Sequence, residues 1–159
     1  MRRPTLAKTA GAAFVTATVG GLASRPAESA WYARLKKPRF QPPRQVFSIV
    51  WPILYADIAV VSASTVDHLH DQQQPEMARA YTASLAANLV LNASWTWLFF
   101  TRRQLGASAV AAAALTASSA DITRRAVEAR GKGGALLTPY PLWCAFATLL
   151  STRIWLLNR

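Results

Sequence analysis

The sequence predicts an all-α integral membrane bundle of five transmembrane helices with a lid-like first loop. Three observations carry that fold class. Hydrophobic residues fill 52% of the 159 positions and charged residues only 16%, against about 25% charged in a soluble domain. Five apolar stretches approach the roughly 20 residues that a spanning helix needs. The cations gather in the gaps between those stretches, where lipid headgroups lie. Mean hydropathy is only +0.16, because alanine, serine and threonine are abundant in the apolar stretches. Such small residues let membrane helices approach closely. The length fits one domain over residues 1–159.

The elements follow in order. The first stretch, residues 6–23, is small and glycine-rich. Arg2, Arg3 and "GLAS" also fit a signal peptide, which would leave four spans. Residues 24–45 form a strap holding Arg34, Lys36, Lys37, Arg39 and Arg44 among aromatic residues. Its Pro38, Pro42 and Pro43 fix φ and lack an N–H, so it cannot lengthen the next helix and must fold over the bundle mouth as a lid. The second span is 46–66 and the third 78–100. Between them "DHLHDQQQPEMAR" reads as a polar loop. The fourth span, 105–122, is alanine-rich, with Ala107 and Ala111 on one face and Ala109, Ala113 and Ala117 on another. Such faces pack closely within a bundle or between two copies. The fifth span is 135–157.

The net charge of +11 and pI near 11.1 would suggest nucleic acid in a soluble chain. The apolar stretches remove that reading and leave lipid headgroups as the partner. Orientation is not encoded, since eight cations fall on one side of a five-span chain and nine on the other. Cys144 stands alone, which excludes an intrachain disulfide and a cysteine-based zinc cluster. No metal site is expected, because His68 and His70 in "DHLHD" lack a third ligand cluster and read as a solvated loop. No phosphate loop or nucleophile elbow is present.

Aromatic and polar residues recur instead at helical spacing. Trp51, Tyr55 and Ile58 share one face of the second span. Asn88, Asn92, Trp95 and Phe99 share one face of the third, and Trp143, Ala147 and Leu150, with Phe146 beside them, one face of the fifth. An asparagine in hydrocarbon must face the interior and find a partner, so the rings on that face turn inward too. Two readings stay open: an aromatic pocket with few polar groups, or aromatic core packing. Trp31, Tyr32, Tyr140 and Trp155 sit near span ends, where interfacial anchoring is the default. Asp57 lies mid-span and calls for a cation or donor from a neighbouring helix, or a proton. Arg124, Arg125 and Arg153 can reach headgroups.

Four ordered segments, "WYARLKKPRFQPP", "VFSIVWPILY", "LNASWTWLFF" and "PYPLWCAFATLLSTRIWLLN", together resemble the TspO/MBR family of tryptophan-rich sensory proteins, the translocator-protein or peripheral-type benzodiazepine receptor family. The resemblance runs from Trp31 to Asn158. It implies a five-helix bundle, usually a homodimer, with a pocket under the first loop. That pocket binds porphyrins such as protoporphyrin IX and, in some members, cholesterol or synthetic ligands. By motif, Tyr32, Phe40 and Pro43 belong to the lid, and Trp51, Tyr55, Asn88, Asn92, Trp95 and Phe99 to the ligand-facing set. Trp143, Ala147 and Leu150 match the fifth-helix wall, with Phe146 next to them. Phe40 replaces the tryptophan usual in the lid, so its indole N–H is lost. Thr152 stands where the sterol-recognition pattern has a tyrosine, which weakens the case for cholesterol.

The resemblance implies a receptor or sensor that stacks a porphyrin against its tryptophans, with strap cations meeting the propionates. The porphyrin is a ligand, and no cofactor is required. Two alternatives are an enzyme that degrades porphyrin with light and oxygen, using Trp51 and Trp143, and a porphyrin or lipid transporter. No inverted repeat supports transport. A bacterial cytoplasmic membrane is the expected location, with the mitochondrial outer membrane as the alternative.

Overall fold

The computed structural model describes residues 3–24 and 30–159. Arg2, Arg25 and residues 25–29 of the expected lid lie outside them. The helices are α1 (Arg3–Ser24), α2 (Ala30–Arg34), α3 (Arg44–Asp71), α4 (Pro75–Thr96), α5 (Leu105–Arg130), α6 (Lys132–Ala135) and α7 (Pro139–Leu157), and α4 runs on into a π turn over Trp97–Thr101. No strand occurs among the described residues. The five long helices match the five expected spans.

Proline and glycine set the boundaries. Pro43 precedes α3 with φ −56° and ψ 152°, while Pro75 and Pro139 open α4 and α7 at positions where a missing N–H is harmless. Gly131 ends α5 at φ 56°, ψ −124°, a conformation that glycine adopts and side chains avoid. At Gly134 an added Cβ would collide with the Ala126 carbonyl. The α5–α6 corner therefore packs backbone on backbone.

Three helical segments are long and apolar enough by themselves to cross a membrane: Arg44–Asp71, Leu105–Arg130 and Lys132–Leu157, with mean hydropathies of 1.9, 1.3 and 1.2. α1 and α4 fall short on composition. The polar residues of α4 turn into the bundle, where Asn88, Asn92 and Thr96 are buried, and helix–helix hydrogen bonds offset their cost in an apolar setting.

The helices overrun the expected spans. The polar segment read as a loop is helix except at residues 72–74, so His68 and His70 lie in the last turns of α3 rather than in a loop. Hydropathy registered polarity there and missed the burial of this end of α3, where Thr65, Asp67 and Leu69 are 0%, 4% and 3% exposed. α5 likewise continues past 122, because Ile122 and Ala126 are fully buried. Arg124 and Arg125 do not simply reach for headgroups: both bind Asp121 at 2.7 Å, and Arg124 also binds Glu128 at 2.6 Å. These pairs are exposed and screened by solvent, so they add little to stability. Asp57 Oδ2 is buried without a hydrogen-bond partner, and among the described residues no ion pair reaches Asp57.

α1 packs on α3 and α4, α4 on α5, and α5 on α7, whereas α3 and α7 meet only sparingly. The main core gathers Leu54, Ile58, Leu85, Leu89, Leu115, Ile122 and Tyr140. A second aromatic core at the strap end gathers Phe99, Leu150 and Ile154, with Tyr32, Leu35 and Phe47 against it. Asn158, just past the end of α7, fastens the strap there. Its amide accepts from Lys36 N and donates to Lys36 O, both at 2.9 Å, and donates to Ile154 O at 2.7 Å. One side chain thereby pairs with strap backbone as a neighbouring strand would.

Asn158→Ala should free the strap without unfolding the bundle. Hydrogen exchange at the Lys36 amide is expected to rise roughly tenfold or more while exchange in α5 stays unchanged. Equal protection of Lys36 in both proteins would show that the latch does not hold the strap.

Candidate functional site

A cavity of about 610 Å³ opens between α1, α3, the end of α4 and the C-terminal half of α7. This volume lies in the usual range for small-molecule sites, roughly 300–1,000 Å³. α1 contributes small residues, among them Ala13, Ala17 and Gly20, which keep that wall thin. α3 contributes Phe47, Trp51 and Tyr55, and the fourth helix contributes Asn92, Trp95 and Thr96. Leu150, Ser151 and Ile154 of α7 complete it, with Tyr32 from α2 and Arg44 at the start of α3.

The rings form a continuous wall. Trp51 lies 5.6 Å from Tyr55 and 5.9 Å from Trp95, tilted by 30° and 36°. Trp95 is fixed by donating its indole N–H to Ser151 Oγ at 3.2 Å. Towards the strap, Tyr32 meets Phe99 at 6.3 Å and Phe100 at 5.7 Å. Phe99 and Phe100 are consecutive, yet both line the cavity. They fall in the π turn, and π turns recur at functional sites.

A chain of hydrogen bonds stands behind this wall. Tyr55 Oη donates to Asn92 Oδ1 at 2.9 Å, and Asn92 Nδ2 donates to Tyr140 Oη at 3.2 Å. Tyr140 Oη donates to Asn88 Oδ1 at 2.7 Å, and Asn88 Nδ2 donates to Ser118 Oγ at 3.1 Å. The chain joins α3, α4, α7 and α5 through their interior.

In the strap, Gln41 Nε2 donates to Tyr32 Oη at 3.2 Å, and Lys37 Nζ sits 4.4 Å above the Tyr32 ring. Burial raises the Tyr32 phenol above its ordinary pKa, with the Gln41 hydrogen bond and the Arg44 charge opposing. It is therefore a neutral hydroxyl at the cavity mouth.

Seven of the thirteen expected site residues line this cavity: Tyr32, Trp51, Tyr55, Asn92, Trp95, Phe99 and Leu150. The others lie elsewhere. Asn88 does not face the cavity; it is fully buried and both ends of its amide serve the interior chain. Trp143 and Phe146 also lie outside it, stacking on each other at 5.4 Å, with Phe47 against Trp143 at 5.6 Å and Phe40 against Phe146 at 6.3 Å. These rings fill the seam where α3 and α7 scarcely touch. Ala147 packs against Trp95 and Ala112 in the core. Pro43 starts α3 without lining the cavity. Tyr140, read as an interfacial ring, is instead fully buried. The sequence reading missed the α1 wall, Phe47, Thr96, Phe100 and Ser151, and it named Arg44 only as one of the strap cations. Ser151 could have been found from its neighbours on the α7 face.

A sequence model of the TspO/MBR family matches residues 9–156. The membrane protein YtaB of Bacillus subtilis is 30% identical over 129 residues, covering 81% of each chain. The translocator protein of Bos taurus is 33% identical over 126 residues, 79% of this chain and 73% of its own. The tryptophan-rich sensory protein of Cereibacter sphaeroides is 30% identical over 142 residues, 89% of this chain and 84% of its own.

Tyr140→Phe should leave Asn92 Nδ2 and Asn88 Oδ1 unpaired in the interior. The expected loss is about 1–3 kcal/mol in reversible unfolding from mixed micelles. A loss under about 0.5 kcal/mol would mean that the chain adds little to the bundle.

Proposed function

The chain belongs to the TspO/MBR family, and on that premise we propose that its aromatic cavity binds a tetrapyrrole, with protoporphyrin IX as the leading occupant. It is an integral, multi-pass membrane protein of the translocator and tryptophan-rich sensory group. Its bacterial relatives support a bacterial membrane as the location.

One observation carries the reading. Trp51, Tyr55 and Trp95 make a tilted three-ring wall in the cavity that Arg44 also lines. A flat macrocycle stacks on the rings while a propionate meets the guanidinium, whose planar fork suits carboxylate. Ring contacts are worth about 0.5–1.5 kcal/mol each beyond burial, and burial about 25 cal/mol per Å². Together these exceed one charged hydrogen bond, about 1.5–3 kcal/mol. The porphyrin is a ligand in this scheme, not a resident cofactor. A homodimer belongs to the same proposal: Ala113 and Ala117, one turn apart on α5, are exposed and offer small residues to a second copy.

Breakdown of the porphyrin with light and oxygen is the alternative. It would draw on Trp51, which touches Trp95 within the cavity. Trp143, the other ring expected to take part, lies outside the cavity lining.

Titrating protoporphyrin IX while following tryptophan fluorescence should give saturable quenching. Trp51→Ala should raise the dissociation constant roughly tenfold to a hundredfold, and Arg44→Gln by only a few-fold, with less effect at high salt. Absence of saturation, or an unchanged constant for Trp51→Ala, would overturn the reading. The same titration under illumination, with and without oxygen, separates turnover from binding by the appearance of a new coloured product.

A further inference from the structure

We propose that the inner wall of the cavity is an acceptor site, selecting an occupant that carries an O–H or edge N–H donor at its buried end. The inference rests on the cavity being a binding site and is independent of which ring system fills it.

The geometry is local. Tyr55 Oη gives its proton to Asn92 Oδ1 at 2.9 Å, and Thr96 Oγ1 gives its own to the Asn92 carbonyl one turn back at 3.2 Å. Both oxygens then show only lone pairs to anything else. They also flank one spot. A Cβ built on Gly20 would lie 3.8 Å from Thr96 Oγ1 and 3.9 Å from Tyr55 Oη. Gly20, Tyr55 and Thr96 all line the cavity. With glycine at this position no α1 side chain covers the two converging acceptors.

The interior chain fixes this polarity. From Tyr55 through Asn92, Tyr140 and Asn88 to Ser118, each hydrogen bond of the chain is donated in the direction away from the cavity. Tyr55 could donate to an occupant and leave no member of the chain unpaired only if both amides and the Tyr140 and Ser118 hydroxyls reversed together. A ligand carbonyl or ether placed here would face two acceptors. A ligand hydroxyl or edge N–H would bond with one of them and be shared by the other. Sites built to bond a ligand O–H or N–H reject the analogue that lacks it, because the protein's own polar atoms are left unpaired.

The test uses a matched pair of flat probes, 1-hydroxypyrene and 1-methoxypyrene. Each is titrated against the full chain in one detergent and read by quenching of tryptophan fluorescence. The ratio of the two dissociation constants is compared among the parent, Thr96→Val, Tyr55→Phe and Gly20→Ala. Comparing ratios cancels the probes' different partition into micelles. Gly20→Ala places a methyl at ordinary contact distance from both oxygens, and alanine favours the helix, so this variant folds. The parent should prefer the hydroxyl probe by about five- to tenfold more than Thr96→Val and Gly20→Ala do, with Tyr55→Phe in between. The same ratio in all four proteins, or a parent ratio favouring the ether, would overturn the proposal. Loss of porphyrin binding with this pattern intact would sink only the porphyrin reading.

Discussion

An amide or hydroxyl inside a membrane bundle must be satisfied by another protein group, since the hydrocarbon offers none. In this chain a relay of side chains, Tyr55–Asn92–Tyr140–Asn88–Ser118, answers much of that constraint. Four helices contribute to it. Shifting α4 by a turn breaks all four contacts, shifting α7 breaks two and shifting α3 or α5 breaks one, so the relay sets the register of the bundle as packing of small residues alone would not. The position of the aromatic wall follows. Trp51 is one turn before Tyr55 on α3, and Trp95 is three residues after Asn92 on α4, so aligning the polar pair brings the two indoles together.

The cavity exists because its neighbours are unequal. α1 faces it chiefly with alanines and glycines, Phe14 being the ring it adds, while most of the rings come from α3 and the end of α4. A larger residue in α1 would fill the space that the rings enclose. Beside it, α3 and α7 meet only sparingly, and that seam is filled by Trp143, Phe146 and Phe40 together with Phe47, which also faces the cavity. Two aromatic groups thus flank α3, one enclosing a space and the other closing a gap.

Much of this could be read from the sequence. Five apolar stretches gave five helices, and the i, i+4, i+7, i+11 spacing of Asn88, Asn92, Trp95 and Phe99 put all four inside. Spacing names a face, however, and not what lies across from it. Asn92 has Tyr55 and the cavity opposite; Asn88, one turn away on the same face, has Tyr140 and Ser118. The same limit separates Leu150, on the cavity, from Trp143, in the seam. Two further features left no periodic signal. The π turn brings adjacent phenylalanines to one cavity, and the helical ends at 67–71 and 123–130 are polar in composition but buried on one side. The strap was legible from its prolines, whereas its fastening was not, because the partner residue lies at the far end of the chain.

That distance bears on how the protein is made. The latch joins Lys36 to Asn158 across 122 residues. Long-range contacts of this kind form only after the intervening chain is in place. While a ribosome is still threading α7 into the bilayer, Asn158 has yet to emerge and the strap is held by packing such as Tyr32 on Phe99 and Phe100. The walls of the cavity can assemble as the helices enter one after another, but its roof is fastened last. The nascent protein therefore passes through an interval in which the site is built but not yet covered.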